Sequence, residues 1–379
     1  MTLKVLTIYY KHRRGGFCKR FRLKLEAYLK AGWQVHYIAV EPYPYHNENL
    51  IPHILPCPIK KHSGLIFWAF FFITAPLYAF ILGLRYKFNL ISAAAPVYAW
   101  ISGPVKWLRK TPMVTFLLTN PQFTTDCHED YRSFNKLENI MERWGARWSD
   151  KMIANSEACR SSWIHRYQLQ DDKIEVYPNH IDAPHFEKEE QRKRLTQEFK
   201  LADDAFIITN SSIFEPHKNL EFLISAFAHV DSERAVLILI GAGEQRSHLK
   251  KVGRALGIAE RVIFTGWRED ARKLVQGSDL FVFPSLREGM SESLLEATTS
   301  KIPCLVSSIP ENMEVIRNTE QHFNPQQTHE LIQKINRCIE DNNYYDDLLK
   351  QTEIDGNRYI FDWEKGWVEK IRQIINPNI

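Results

Sequence analysis

Residues 280–296 read LFVFPSLREGMSESLLE, and this stretch decides how the chain is best interpreted. Its apolar beginning, residues 280–285, is typical of a buried strand. If that strand ends near Pro284 and a helix begins near Ser291 or Ser293, the backbone amides of residues 289–293 point out of the helix N-terminus. The helix dipole favours a phosphate at that position. The stretch therefore predicts an anion site after a strand.

Two glutamates in the same stretch, Glu288 and Glu296, would flank the bound anion. Carboxylates do not hold phosphate, so they would hold hydroxyl groups, and a ligand with both phosphates and hydroxyls is a nucleotide sugar. The structural alternative is that Ser293 and Glu296 form a capping box that only starts a helix. The stretch by itself leaves these two interpretations equal.

Further segments surround this stretch in a definite order. They are ANSE at 154–157, VYPNHID at 176–182, EPHKNL at 215–220, FLISAF at 222–227, VLILIGAG at 236–243, RVIFTGW at 261–267, IPCLVS at 302–307 and PENMEVI at 310–316. In this order they resemble the retaining glycosyltransferases of family 4, over roughly residues 145–320. The resemblance favours the nucleotide-sugar interpretation over the capping box.

The resemblance implies an α/β protein with the GT-B fold, in which two Rossmann-like doubly wound domains face each other across a cleft. We expect an N-terminal, acceptor-side domain over residues 1–182 and a nucleotide-sugar domain over residues 183–360. Residues 361–379 are expected to form a helix that returns to the N-terminal domain.

Site residues follow from the same resemblance. Lys218 and Glu288 are the expected catalytic residues, Lys218 on the departing phosphate and Glu288 on donor-sugar hydroxyls. Glu296 is expected to accept hydrogen bonds from the ribose, and Trp267 and Arg268 lie where the family places the base. The other expected donor-binding residues are Gly289, Met290, Ser291, Gly243, Gly16 and His217.

No metal or cofactor is expected. A diphosphate leaving group gains negative charge that has to be stabilised, and enzymes do this with a metal ion or with fixed cations and dipoles. Nowhere in the chain do two aspartates stand with one residue between them, which is how many other glycosyltransferases hold a metal. Lys218 and the predicted helix N-terminus therefore receive this role, with a UDP- or GDP-linked sugar as the substrate.

The chain departs from the family pattern in the phosphate clamp. An arginine usually stands five or six positions before the lysine, but here those positions hold Ile213 and Ser212. His217, or a basic residue of the turn at 13–20, is a candidate for the missing cation.

A second departure lies in the N-terminal half. A histidine often follows a strand similar to residues 114–116, but here Leu117 and Leu118 follow it, and His128 is only close in sequence. A retaining transfer in which the departing phosphate accepts the proton tolerates this loss. The two departures leave open a catalytically weak or inactive sugar-nucleotide-binding or scaffold protein of a membrane glycan assembly.

Composition supports an α/β enzyme of two domains. The chain has 379 residues, 44% of them hydrophobic, which suits two cores and excludes a disordered chain. Its six cysteines form no Cys-x-x-Cys pair and are expected to be reduced thiols of a cytosolic protein. A nicotinamide-dependent dehydrogenase is disfavoured, because the turn at 241–246 lacks the third glycine of the dinucleotide fingerprint.

The N-terminus has the order strand, glycine turn, helix and strand, which opens a doubly wound domain. Residues 1–8 lack the features of a signal peptide and are predicted to be the first strand. Gly15 and Gly16 in the following turn could let the backbone approach a phosphate or an acceptor. The alternative is a tight turn with solvated positive charges.

Residues 64–84 contain no charged side chain and are long enough to span a membrane. A span would separate the halves of one Rossmann-like domain, so we expect a helix, or a pair of helices, that buries one face and lays the other in the membrane interface. Charged replacements at Phe71 and Ile73 should then release the protein from anionic liposomes. The alternative is an unusually apolar core helix.

The sequence thus predicts a retaining glycosyltransferase that moves a sugar from a nucleoside-diphosphate donor to a lipid-linked or polysaccharide acceptor. Its expected place is the cytoplasmic face of the inner membrane, as a peripheral protein of lipopolysaccharide or other surface glycan synthesis. The expected partners are the nucleotide sugar, the acceptor and an anionic membrane surface. Nucleic acid is not expected, because no dense Lys/Arg stripe occurs.

Overall fold

The computed structural model describes residues 2–12, 16–121, 132–183 and 187–376. It divides into two compact units, residues 1–178 with 362–379, and residues 179–361. The first division lies earlier than the expected 182, because the crossover is already bonded within the second unit. Asn179 donates through Nδ2 to the Met290 carbonyl at 3.3 Å, and the Ile181 amide donates to the Tyr359 carbonyl at 2.8 Å.

Parallel strands form the centre of the first unit. They are β1 (Lys4–Ile8), β2 (Gln34–Ala39), β3 (Leu50–Ile54), β4 (Leu90–Ala93), β5 (Met113–Leu117), β6 (Lys151–Ala154) and β7 (Ile174–Val176). Within the described residues they make one seven-stranded sheet in the order β3-β2-β1-β4-β5-β6-β7. The middle strands β4 and β5 are buried along their whole length, as expected of a parallel sheet covered on both faces.

The helices of this unit connect successive strands. They are α1 (Gly16–Lys30), α2 (Leu65–Arg85), α3 (Pro96–Arg109), α4 (Arg132–Trp148) and α5 (Glu157–Tyr167). The apolar segment 64–84 is thus one helix, α2, with Pro76 inside it. Phe71 is fully buried in it, whereas Ile73 is 65% exposed. Phe71 was therefore wrongly expected to be a surface residue, since a charge there would disrupt the core.

The second unit repeats the topology of the first. Its strands are β8 (Phe206–Ser211), β9 (Ala235–Ile240), β10 (Val262–Gly266), β11 (Leu280–Phe283), β12 (Cys304–Ser307) and β13 (His322–Phe323). They form a six-stranded sheet, counted over the described residues, in the order β10-β9-β8-β11-β12-β13, and every pair is parallel. Alternate residues of β9 enter two different cores, Leu237 and Leu239 on one face and Ile238 and Ile240 on the other.

The helices of the second unit cover both faces of this sheet. They are α6 (Lys188–Phe199), α7 (Leu220–Phe227), α8 (Arg246–Ala255), α9 (Ala271–Gln276), α10 (Glu292–Thr298), α11 (Pro310–Val315), α12 (Thr328–Glu340) and α13 (Asn342–Asn357). Together the two units confirm the prediction of two Rossmann-like α/β domains.

The last helix, α14 (Trp363–Ile375), belongs to the first unit, as predicted. Asp362 caps it by accepting the Lys365 amide at 3.0 Å. The Trp367 ring lies 5.1 Å from that of Phe116 on β5, and the Tyr177 hydroxyl donates to the Trp363 carbonyl at 2.9 Å. The chain therefore re-enters its first core through two buried tryptophans.

Candidate active site

The expected catalytic residues lie where the strand order of the second unit reverses. Lys218 follows β8 and Glu288 follows β11, and these two strands are neighbours in the sheet. Strand connections run outward in opposite directions from this pair. Ligands of doubly wound domains bind at such a switch point, beyond the carboxyl ends of the strands.

Lys218 and Glu288 contact each other directly. The Lys218 Nζ lies 2.6 Å from Glu288 Oε1, and their side chains are only 14% and 8% exposed. The ammonium also lies 5.4 Å from the centroid of the Phe283 ring. Because burying two charges costs desolvation energy, a buried ion pair is weak evidence of a stabilising role. A lysine and a carboxylate held together at a switch point suit the binding of a ligand with phosphates and hydroxyls.

A set of polar contacts positions the two loops. The Leu286 amide donates to the His217 carbonyl at 2.8 Å, which joins the loop after β11 to the loop after β8. Asn210 Nδ2 donates to the Val282 carbonyl at 2.8 Å, between the two strands themselves. The Ser307 hydroxyl donates to the Ser285 carbonyl at 2.5 Å. Asn210 and Ser307 were not among the predicted site residues, although a buried polar residue at the end of an apolar strand was a usable signal.

The helix after Glu288 begins at Ser291, one of its two predicted starts. Ser291 is the N-cap of α10, and its hydroxyl accepts the Leu294 amide at 3.4 Å. Ser293 lies inside the helix, so the capping box of Ser293 and Glu296 was the wrong alternative. Since α10 has only seven residues, its dipole contributes little, and the Lys218–Glu288 pair remains the main feature of the site.

The other residues of the 288–296 segment have different surroundings. The Met290 side chain is buried in the core, where its sulfur accepts the Asn179 amide at 3.3 Å, so only its backbone can face a ligand. Gly289 is buried beside it. Glu296 is half-buried, and its charge opposes the lowering of the Arg272 pKa that burial causes. The expected ribose contact of Glu296 stays a prediction.

Gly243 has a packing reason to be glycine. A Cβ on it would lie 2.4 Å from the Phe214 carbonyl oxygen, and one on Gly241 would lie 1.9 Å from the Ser212 carbonyl oxygen. Gly241 also has a φ of 138°, which side chains rarely adopt. These glycines let the loop after β9 touch the loop that leads to Lys218. Donor binding by Gly243 stays a prediction.

Two further predicted residues lie at the edge of the second unit's sheet. Trp267 and Arg268 follow β10, the edge strand of the sheet, and Trp267 is 50% exposed. Arg268 pairs with Asp270 and Glu198, whose hydrogen bonds raise its pKa.

Gly16 is the first residue of α1 and belongs to the first unit. Gly15, the arginines at 13 and 14, and His128 lie outside the described residues. Predictions that involve these positions therefore stay predictions.

His217 does not fit the role of the missing cation. Burial, followed by the charge of Lys218, lowers the pKa of His217 to about 4, so the imidazole is neutral near pH 7. The Leu286 amide, directly before Arg287, donates to the His217 carbonyl, so the backbone of Arg287 adjoins the same loop. Arg287 is thus a better candidate for the second cation. Arg287 was not among the predicted site residues, although it stands directly before Glu288.

The first unit carries a pocket of about 230 Å³ at its own switch point. It lies beyond the carboxyl ends of β1, β4 and β5, and its apolar walls include Tyr10, Trp68 and Trp163. Two carboxyl groups also line it, Glu138 and Glu142.

The Glu142 carboxyl of this pocket is almost completely buried. The Tyr167 hydroxyl donates to Glu142 Oε2 at 2.7 Å, and burial raises the pKa of Glu142 to about 7. Burial also raises the pKa of Glu138. The pocket therefore offers ring-stacking surface together with carboxyl groups that can carry a proton.

Comparison with known families assigns both units. Residues 191–354 match the family described as glycosyl transferases group 1, and residues 21–184 match glycosyltransferase family 4. Both units are domains of a GT-B glycosyltransferase of the family 4 type. HepE from Anabaena, whose crystal structure contains UDP, shares this fold with a TM-score of 0.77 at 18% identity, over 99% of this chain and 100% of that one.

Two curated relatives are glycosyltransferases. The chain is 27% identical over 201 residues to the UDP-Gal:alpha-D-GlcNAc-diphosphoundecaprenol alpha-1,3-galactosyltransferase of Escherichia coli, and the match spans 51% of each chain. It is 24% identical over 313 residues to a glycosyltransferase of Methanocaldococcus jannaschii, over 80% of this chain and 79% of that one. The chain thus spans about half the length of the first relative. Such relatives do not favour an inactive scaffold protein.

Proposed function

We propose that this protein transfers a sugar from a nucleoside-diphosphate donor to a lipid-linked or polysaccharide acceptor, with retention at the anomeric carbon and without a metal. The observation that carries the proposal is the Lys218–Glu288 pair at the switch point of the second unit. Each side chain of the pair satisfies the charge of the other. A donor replaces this contact with two new ones, phosphate oxygen on Lys218 and sugar hydroxyls on Glu288.

The chemistry requires positive charge at the leaving group. As the bond between the anomeric carbon and the phosphate oxygen breaks, its electron pair goes to the diphosphate, where Lys218 and Arg287 stabilise the added charge. The acceptor hydroxyl oxygen bonds to the anomeric carbon on the face that the phosphate leaves. Its proton passes to the departing phosphate, so the reaction needs no histidine base from the first unit.

The donor base is best proposed as uracil. HepE was crystallised with UDP, and the E. coli relative is named for a UDP-galactose donor. HepE shares the two-unit fold of this chain, and the E. coli protein is a sequence relative of it. Together they support UDP over GDP as the donor nucleotide.

The acceptor is best proposed as a saccharide on a lipid diphosphate. The E. coli relative is named for such an acceptor, and the pocket of the first unit has aromatic walls with carboxyl groups at one side, which suits a sugar ring. WaaG, another protein of this fold at 16% identity, is described as acting in lipopolysaccharide biosynthesis. The relatives support a reaction of surface glycan synthesis, and we propose that it takes place at the cytoplasmic face of a membrane.

Thermal shift and turnover test the proposal on purified protein. UDP should raise Tm by mass action, more than GDP, ADP, CMP or NAD do. Incubation with UDP-glucose or UDP-galactose and a lipid-diphosphate saccharide should release UDP, and chelation of divalent cations with EDTA should not stop it.

The variants Lys218→Ala and Glu288→Gln should lose UDP release, whereas the exposed control variants Lys251→Ala and Glu260→Gln should keep it. A wild-type protein that neither binds UDP nor turns over any donor would overturn the proposal and revive the scaffold interpretation.

A further inference from the structure

One face of α2 is apolar and exposed along its whole length. The large apolar residues that are more than half exposed follow each other at helical spacing: Leu65, Ile66, Ile73, Leu77, Ile81 and Leu84. From Ile66 onward, steps of three, four and seven residues place them on one stripe, which is about 27 Å long at 1.5 Å per residue, and Leu65 adjoins its first turn. Among the described helices only α2 is long and apolar enough, by length and composition, to cross a membrane.

The opposite face of α2 is packed on the first unit. Phe67, Phe71, Ala75 and Ala79 are fully buried, and the Phe67 ring lies 5.6 Å from that of Tyr10. The strands before and after this helix, β3 and β4, belong to the same sheet. A helix with one long side held on its own sheet cannot be surrounded by lipid. The stripe can therefore contact a membrane only from the side.

The ends of α3 and α4 enlarge the exposed surface. Gly83 of α2 packs against Val105 and Leu108, since a Cβ on Gly83 would lie 3.3 Å from Val105 Cγ1 and 3.5 Å from Leu108 Cδ2. Next to them Trp107 is 59% exposed, and its ring lies 4.4 Å from that of Trp148 on α4. Exposed tryptophans beside an apolar stripe are typical of a membrane interface.

The chain segment that contains α2 and α3 carries charge of a single sign. Residues 49–125 contain seven lysines and arginines and no aspartate or glutamate, although the whole chain has a net charge of only +4. Those that flank the stripe in sequence and are exposed are Lys60, Lys61, Arg85, Lys87, Arg109 and Lys110. A second soluble copy of this chain would present the same positive charge, whereas an anionic lipid surface complements it.

We propose that this face, formed by the exposed stripe of α2 with Trp107 and Leu108 of α3, docks on the surface of an anionic bilayer. The helix axis lies parallel to the membrane, the stripe enters the acyl boundary, and the basic residues contact lipid phosphates.

The same helix links this docking face to the pocket of the first unit. Trp68 and Phe72, both on α2, line that pocket. If the proposed function is correct, which this step alone requires, the helix that lies on the membrane also forms a wall of the acceptor pocket. A lipid-linked saccharide can then reach the pocket while its lipid stays in the bilayer.

Co-sedimentation with vesicles tests the docking face. Wild-type protein should bind vesicles of phosphatidylcholine with phosphatidylglycerol, and bind roughly tenfold more weakly to phosphatidylcholine alone. The double variant Ile73→Glu with Leu77→Glu should stay in the supernatant with both vesicles. Ile354→Glu is the matched control, since Ile354 is 52% exposed on a helix of the second unit, and it should sediment as wild type does.

Folding and oligomeric state complete the test. The double variant should keep the wild-type circular dichroism spectrum and the UDP-induced thermal shift, so a loss of vesicle binding is separable from a failure of the proposed donor site. Equal sedimentation of the double variant and wild type would overturn the docking face. A wild-type dimer that ignores vesicles and dissociates in the double variant would assign the stripe to a second copy instead, and would also overturn the proposal.

Discussion

The Nζ of Lys218 lies 2.6 Å from the Oε1 of Glu288, although 70 residues separate them in the chain. Lys218 follows β8 and Glu288 follows β11, and these two parallel strands are neighbours in the sheet. The order of the strands runs outward from them in opposite directions. The contact therefore depends on the topology of the sheet. Such a pair keeps a cation and a carboxylate in place at the switch point, where a substrate that needs both would bind.

Breaking this ion pair should cost stability as well as activity. Lys218→Ala leaves the Glu288 carboxylate buried without its cation, which we expect to lower the free energy of unfolding by about 3 kcal/mol. Loss of a charge that stabilises the leaving diphosphate should lower kcat about 100-fold or more. Urea unfolding and UDP release measure the two effects separately.

The double variant Lys218→Met with Glu288→Leu separates the two roles. It removes both charges, so it should recover most of the lost stability and remain inactive. A stable double variant with wild-type turnover would show that the pair is structural only.

Arg287 should matter more than His217 for donor binding. Because the pKa of His217 is lowered to about 4, a change to Gln removes no positive charge at pH 7 and should leave UDP binding nearly unchanged. Arg287→Ala should weaken UDP binding about tenfold, and Arg287→Lys should restore part of it.

Titration calorimetry at low and high salt measures these affinities. The affinity lost in Arg287→Ala should be smaller at high salt, because ions screen the contact. If His217→Gln is the more damaging variant, the assignment of the second cation to Arg287 is wrong.

Much of the second unit could be predicted from the sequence, because it depends on local patterns. The apolar run at 280–285 forms a strand that ends at Phe283. The following helix begins after Ser291, which was one of its two predicted starts. The pairing of Lys218 with Glu288 was implied only by resemblance, since no local pattern reports which strands become neighbours.

Other features depend on tertiary contacts and could not be predicted. Met290 was predicted to bind the donor, but its side chain is buried in the core. There its sulfur accepts a hydrogen bond from the backbone amide of Asn179, in the crossover segment. His217 looked like a possible cation, but burial makes it neutral. The carboxyl groups of the first unit's pocket gave no signal, because only packing brings Glu142 next to Tyr167.

Glu142 should make stability depend on pH in a defined direction. Burial raises its pKa from 4.5 to about 7, so the folded state holds a proton that the unfolded state releases. As pH rises from 4.5 to about 7, the free energy of unfolding therefore decreases. Above about pH 7 this loss of stability is complete.

Glu142→Gln should remove this penalty, since the amide oxygen still accepts the Tyr167 hydroxyl. Its Tm should exceed that of wild type at pH 8, and the difference should shrink towards pH 4. The exposed Glu369→Gln should show no such trend. A Tm difference that does not change with pH would contradict the raised pKa of Glu142.

Gly243 and Gly253 form a matched pair for testing the loop contact beside Lys218. A Cβ on Gly243 would lie 2.4 Å from the Phe214 carbonyl oxygen, whereas a Cβ on Gly253 meets no atom within 4 Å. Gly243→Ala should therefore displace the loop after β8, lower Tm and weaken UDP binding. Gly253→Ala lies within α8 and should raise stability by about 0.5–1 kcal/mol, because glycine is a poor helix former.

Differential scanning fluorimetry with and without UDP compares the two alanine variants. If Gly243→Ala lowers Tm in the absence of UDP but keeps the full UDP-induced shift, the contact between the loops supports folding only. If it lowers both, the loop that carries Lys218 has to be held by Gly243 for the donor to bind. Gly253→Ala fixes the scale of the comparison, because an added methyl group there changes the stability of a helix without moving a loop.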